Sequence, residues 1–266
     1  MLPPSSAFRD DLLWLLPLGF ALIGLYRFGR LLPDAAILAI WLSTTLLIAL
    51  GHFLRLRIRR RAWLQAYVSP ASVLQHWLRG GALALLVRVF LAAALALALV
   101  IGALRLHGPE ELLLLLTSLP LIAALRWGAG RQLKGHISPY YLPESAWRVT
   151  LALTFLILCS ALLAQSWWRA GPDFTAVTLD QAAWHMALEE DASSAVLEQA
   201  LAVAAAMEGV RWWLAQHGLP RLQWPLLELL GWFLVLLANA LFVWAWLHCC
   251  VGMMLMRKLW DSPCRA

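Results

Sequence analysis

The chain has 266 residues, of which 62% are hydrophobic and 14% are charged. Soluble domains are about half apolar and about a quarter charged, so this composition excludes an ordinary soluble domain and indicates a membrane protein. The net charge of +6 would suggest a nucleic-acid partner in a soluble protein. In a membrane protein such an excess usually lies in the loops that stay inside, and no folded basic domain accompanies it, so we expect no nucleic acid to bind.

Six apolar runs are long enough to cross a bilayer core of about 30 Å as helices, which need about 20 residues each. They cover residues 12–28, 34–53, 82–104, 110–126, 148–167 and 225–253. The first run is expected to be a retained span, because no small-residue cleavage site follows it. The last run stays apolar to Met256, about 48 Å of helix, which predicts a strong tilt or a projection beyond the bilayer. The predicted fold class is therefore all-α, an integral membrane protein with six transmembrane helices.

The distribution of positive charge predicts the orientation of these spans. With the N-terminus inside, fourteen Lys and Arg residues fall in the inner segments and six in the outer ones, while Arg88 lies within a span. This bias places both termini in the cytoplasm. The loops 54–80 and 127–147 within the membrane domain 1–167 are then cytoplasmic, segment 168–224 is extracytoplasmic, and 225–266 holds the last span and a short basic tail. The composition, rich in Leu, Ala, Arg and Trp, is typical of a bacterial inner (cytoplasmic) membrane.

A basic cluster follows the second span and consists of Arg55, Arg57, Arg59, Arg60 and Arg61. At the inner leaflet each basic residue gains about 1 kcal/mol from anionic lipid. We interpret the cluster first as an anchor to that leaflet, in preference to a nucleic-acid site.

The two inner loops resemble each other. Ser69-Pro70 and Ser138-Pro139 are each followed by a mixed polar and apolar stretch that ends in a tryptophan, Trp77 or Trp147. Ser-Pro favours a turn that starts a helix, so each loop is predicted to hold an interfacial helix that meets a cytoplasmic protein partner. The alternative to a true repeat is that loops beside membranes converge on these residue types.

The outer segment carries an acidic helical hairpin. Thr178 and Gln181 have the spacing of a capping box, which predicts a helix over about 179–190, followed by a second over about 194–216. The second helix has an apolar stripe at helical spacing, formed by Val196, Ala200, Val203, Met207, Val210 and Leu214. It is not a seventh span, because charged residues on it would each cost about 3 kcal/mol at mid-bilayer. The stripe either packs against the protein's own spans or docks a partner on residues 178–217.

Few polar side chains lie within the spans, and these are the first candidates for a substrate path. Arg88, Glu228 and Asn239 are such candidates, with an interfacial anchor the alternative for Arg88 and helix packing the alternative for Asn239. His52 and His248 fall near the inner ends of their spans, and two facing imidazoles can hold a haem iron. A polar set at one interface is formed by Arg126, Arg131, His136, Tyr140, Tyr141 and Glu144. The sequence contains no phosphate-binding glycine loop, HExxH, nucleophile elbow or CxxC.

Three functions follow as hypotheses. The first is a non-enzymatic membrane subunit of a multi-component bacterial envelope complex for transport or secretion, permease-like or a scaffold, without cofactor or metal. The second is a redox-complex anchor with haem or quinone near His52 and His248, and the third is a lipid-modifying enzyme that uses the polar set. In topology alone, six spans with an outer helical segment before the last one resemble the permease subunits of certain ABC exporters.

Overall fold

In a computed structural model of the protein, the backbone is described for residues 4–67, 82–138, 141–168, 171–218 and 225–260. Side chains are described over the same ranges, apart from residues 4–7, 57–67, 82–85, 166–167, 225, 227–230, 232–238 and 258–260. Over these ranges the chain is helical and contains no strand.

Eight α-helices make up the described structure. They are α1 Pro4–Phe28, α2 Asp34–Tyr67, α3 Ala82–Leu104, α4 Pro109–Leu133, α5 Leu142–Trp168, α6 Leu179–Leu188, α7 Ala195–Gly218 and α8 Pro225–Trp260, with a short 3-10 turn at Gly29–Leu31. Six of them, α1 to α5 and α8, are long and apolar enough to cross a membrane. The six predicted spans are therefore found in the structure, and α7 is not a seventh among the described helices. The protein is a multi-pass membrane protein.

Helix α8 is the centre of the bundle. Its apolar segment Asn239–Arg257 is 61% buried, compared with 17–33% for the corresponding segments of the other spans. It contacts α1, α2, α3 and α5, and its fully buried side chains include Val243, Leu247 and Val251. The other spans keep large apolar side chains exposed, such as Phe90 at 78%, as lipid-facing helices do.

Close crossings of small residues bring the helices together. At the crossing of α2 and α8, a Cβ added to Gly252 would lie 2.2 Å from the carbonyl oxygen of Leu47, and one added to Gly51 would lie 3.0 Å from the Cα of Gly252. Small residues allow backbones to approach in this way within a membrane. The crossing lies beside His52 and His248 and fixes where these two side chains meet.

Helices α6 and α7 form the predicted hairpin. The hydroxyl of Thr178 accepts from the amide of Gln181, whose side chain accepts from the amide of Thr178, so the predicted capping box is present. The two helices cross closely at Ala182 and Gly209, where a Cβ on Gly209 would lie 2.4 Å from the carbonyl oxygen of Ala182.

The two loops predicted to be cytoplasmic differ in secondary structure from the prediction where they are described. Helix α2 does not end at residue 53 but continues through the arginine cluster to Tyr67. The stretch before Trp147, expected to be a separate interfacial helix, is instead the first turn of α5, continuous with the span from Leu142. The carboxylate of Glu144 in this turn binds Arg55 of α2, which holds the turn against the bundle. The first loop's predicted helix at 70–80 lies outside the described residues.

Candidate functional site

The structure offers two candidate surfaces, one at each end of the bundle. One end, which we call the arginine-rich end, holds the start of α1 and α5 and the end of α2, α4 and α8. At the other end, the hairpin packs on Val100 and Leu104 near the end of α3 and on Ile37 and Ile40 near the start of α2.

A cavity of about 390 Å³ lies between α2, α3, α5 and α8 at the arginine-rich end. Its polar lining is formed by His52, Arg55, Arg88, Arg148 and His248, and its apolar wall by Leu56, Leu91, Leu151, Ala152 and Trp244. We call it the arginine cavity. Arg88, predicted as a substrate-path candidate, therefore lies in it together with both predicted histidines.

The two histidines are in direct contact. The rings of His52 and His248 stack with 4.5 Å between their centroids and 24° between their planes. Trp244 meets the His248 ring edge-on at 4.6 Å, and Phe155 meets Trp244 in the same manner at 5.5 Å. One side of the cavity is therefore formed by the packed rings of His52, His248 and Trp244.

This stacking does not fit a haem. Imidazoles that hold a haem iron approach it from opposite faces of the porphyrin with a ring nitrogen directed at the metal. Rings that lie face to face at 4.5 Å leave no space for a macrocycle between them. Among the residues that the structure describes, no group of three or more His, Cys, Asp or Glu side chains forms a metal-binding cluster.

Arg55 departs from the predicted role of a lipid anchor. Its side chain is 10% exposed and binds the carboxylate of Glu144, which is 2% exposed, through two contacts of 3.1 Å. Arg148 lies at the cavity mouth, where its side chain is 59% exposed, and its Nε atom lies 3.4 Å from the same carboxylate. Burial of Glu144 at the start of α5 draws Arg55 inward, because a buried carboxylate needs a cationic partner. The side chains of Arg57, Arg59, Arg60 and Arg61 lie outside the described residues.

The polar set proposed for a lipid-modifying enzyme does not form one site. Arg126 binds Asp11 at 2.6 Å and lies over the Trp147 ring at 4.8 Å. Glu144 instead binds Arg55 and Arg148, which line the arginine cavity. Arg131 lies over Trp127, its own neighbour on α4, and His136 is exposed; Tyr141 is half-buried, and Tyr140 lies outside the described residues. The role of Arg126 is structural, because Asp11 also binds Arg257 at 3.1 Å and so ties α1 to α4 and α8.

Of the two remaining predicted candidates, Asn239 is not brought to the cavity. Asn239 is half-buried and does not line it, and the side chain of Glu228 lies outside the described residues. Sequence patterns missed Arg148 and Trp244 as cavity residues. No local pattern singles out either residue, and only the tertiary crossing of α2, α5 and α8 places them together.

At the opposite end, a buried ion-pair cluster clamps the hairpin to the spans. Arg105 binds Glu190 at 2.8 Å and Glu208 at 2.9 Å, and all three side chains are at most 15% exposed. Arg30 also binds Glu190 at 2.9 Å, and Ser194 hydrogen-bonds Asp34 at the start of α2. The hairpin is therefore a fixed part of the bundle.

The apolar stripe on α7 faces away from the bundle. Val196, Val203, Met207 and Leu214 are 51–70% exposed, and Ala200 and Val210 are half-buried. The opposite face of α7 is the buried one, formed by Leu197, Leu201, Ala205 and Gly209. The alternative in which the stripe packs against the protein's own spans is therefore wrong.

Comparison of the chain with protein-family models, with curated proteins and with solved structures found no match.

Proposed function

We propose that the protein is a non-enzymatic subunit of a multi-component envelope assembly, for transport or secretion, in a bacterial inner membrane. The observation that carries the proposal is the exposed stripe of α7 on a hairpin that is rigidly clamped to six spans. A rigid apolar face costs little entropy when it binds, because its backbone is already ordered.

The charges around the stripe indicate the kind of partner. Exposed carboxylates on the hairpin belong to Asp180, Glu189, Asp191 and Glu198, and these make no ion pair with the clamp arginines. A hairpin with an exposed apolar stripe and exposed carboxylates is complementary to a protein surface that carries both apolar side chains and Lys or Arg. It is poorly suited to an anionic lipid surface, which it would repel. We therefore assign the stripe to a protein partner.

The charges at the other end of the bundle support an assignment of each end to one side of the membrane. Arg55, Arg126, Arg131, Arg148 and Arg257 all lie at the arginine-rich end, in addition to the remaining arginines of the cluster. The positive-inside rule supports a cytoplasmic position for this end and an extracytoplasmic position for the hairpin. The docked partner would then be periplasmic or would be a membrane protein with an outer domain.

The experiment is site-specific photocrosslinking in the native membrane. A photoreactive side chain at Val203 or Met207 is expected to give one protein adduct of defined mass, and the same group at Phe90, an exposed residue of α3, is expected to give lipid adducts. Met207→Lys should release the partner in mild detergent, whereas Ala176→Lys, also exposed on the outer segment, should retain it. Lipid adducts alone at Val203 and Met207, or a protein adduct that survives Met207→Lys, would refute the proposal.

A further inference from the structure

We propose that the arginine cavity binds the phosphate headgroup of an anionic phospholipid, with the lipid's chains leaving along α3 and α5. The proposal rests on the cavity alone and is independent of the docking surface on α7, which lies at the other end of the bundle.

The charged side chains that line the arginine cavity favour an anionic ligand. Three guanidinium groups, those of Arg55, Arg88 and Arg148, line the cavity. Glu144 is the carboxylate that the structure pairs with Arg55 and Arg148. Among the residues that the structure describes there, one carboxylate against three guanidiniums leaves a surplus of positive charge within a partly apolar wall, where charge interactions are weakly screened. Guanidinium groups bind phosphate oxygens through paired, charge-assisted hydrogen bonds.

The histidine pair adds a buried polar atom that needs a partner. His248 is 6% exposed, and its Nε2 atom has no hydrogen-bond partner within the described part of the chain. A buried polar group without a partner costs free energy, and native structures usually satisfy it. Since His248 lines the cavity, a phosphate oxygen that accepts a hydrogen bond from its ring would satisfy it.

The apolar wall distinguishes a lipid from a free phosphate. Leu56, Leu151 and Trp244 contribute apolar surface to the cavity. The apolar wall extends from the cavity to the outer surface of the bundle, because two of its residues are exposed there. These are Leu91 of α3, which is 43% exposed, and Ala152 of α5. A ligand with a phosphate and an apolar tail can enter sideways from the bilayer and keep its chains in lipid. The cavity volume is within the ~300–1,000 Å³ range of small-molecule sites.

The experiment measures lipid retention by the full-length protein. The protein is purified in a neutral detergent, incubated with phosphatidylglycerol, phosphatidic acid or phosphatidylcholine, and analysed by native mass spectrometry. We expect one tightly held anionic lipid per chain and no comparable retention of phosphatidylcholine. Arg88→Gln should weaken retention at least about tenfold, which corresponds to the loss of one charge-assisted hydrogen bond.

Two further variants guard against misfolding as the cause. Arg131→Gln removes a cation that lies outside the cavity and should leave retention unchanged. Ala152→Phe keeps every charge but fills the apolar wall, and it should also abolish retention if thermal unfolding shows an intact fold. Equal retention of phosphatidylcholine, an equal loss in Arg131→Gln, or displacement of the lipid by inorganic phosphate at equal concentration would each overturn the proposal.

Discussion

Gly51 of α2 and Gly252 of α8 meet so closely that a methyl group on Gly252 would overlap backbone and one on Gly51 would make a very tight contact with it. The next residue of α2, His52, stacks on His248 of α8. The crossing thus positions the side of the arginine cavity that these rings form. It also sets the position of α8, the most buried span, against α2.

Gly252→Ala should destabilise the bundle. The added Cβ would lie 2.2 Å from the carbonyl oxygen of Leu47, which is backbone and cannot rotate away. We expect a loss of about 1–3 kcal/mol, as for other overpacked sites, measured as a lower midpoint of thermal unfolding in detergent. Gly128→Ala on α4 is the matched control, because nothing lies within 4 Å of its added Cβ. Equal stability of the two variants would show that α2 and α8 do not cross at these residues.

Removal of one partner of the Arg55–Glu144 pair should lower the free energy of unfolding. Glu144→Gln leaves the guanidinium of Arg55, 10% exposed, without its carboxylate, and such losses cost about 3–5 kcal/mol. The double variant Arg55→Met with Glu144→Leu should recover most of the stability, because it removes both buried charges. If Glu144→Gln is as stable as the unmodified protein, the pair is not buried as described.

The ion pair between His107 and Glu111 should make the stability of the protein depend on pH. The carboxylate of Glu111 raises the pKa of His107 above its usual value of 6.5, an effect that outweighs partial burial of the ring. A folded-state pKa above the unfolded value gives a stabilising contribution that is complete below about pH 6.5 and is lost as the pH rises through the folded pKa. We expect an NMR titration to show this raised pKa. Glu111→Gln should lower it, while Glu110→Gln should leave it unchanged; an insensitive His107 would exclude the contact.

Arg105 should hold the hairpin in place. Arg105→Met leaves the carboxylates of Glu190 and Glu208, both largely buried, without the cation that joins them. Repulsion and loss of solvation should then release α6 and α7 from α2 and α3. Hydrogen exchange over residues 179–218 is expected to rise strongly in this variant and to stay unchanged in Arg27→Gln, where the arginine is exposed. Unchanged exchange in Arg105→Met would show that apolar packing alone fixes the hairpin.

Sequence patterns were sufficient for the elements that depend on local chemistry. The spans follow from runs of apolar residues, and the start of α6 follows from the capping box of Thr178 and Gln181. The stripe on α7 was also predicted, but not which face would be buried. Helix α7 carries apolar residues on all of its faces, so hydrophobic periodicity does not reveal which face is buried. The buried face is set by Ala205 and by the close approach of α6 at Gly209.

The arginine cavity could not be predicted from local sequence patterns, because its residues come together through contacts between distant parts of the chain. Arg55 stands in a run of arginines that all favour the same interpretation, and its burial depends on Glu144, which is 89 positions away. His52 and His248 were predicted at the same membrane depth, but their stacking depends on the glycine crossing beside them. Trp147, which ends the predicted helix of the second inner loop, is 2% exposed beneath Arg126, a residue of α4 that local patterns do not connect with it.

The most direct test of the account is the side of the membrane that each end of the bundle faces. Gln199 on the hairpin and Lys134 beyond α4 are both in exposed positions, and each is replaced in turn by a single cysteine. The host chain has its four native cysteines, Cys159, Cys249, Cys250 and Cys264, replaced by alanine. An impermeant maleimide applied to intact spheroplasts should label the cysteine at 199 and should label the one at 134 only after lysis. Labelling of 134 but not 199 in intact spheroplasts would contradict the account, since the docking surface would then face the cytoplasm.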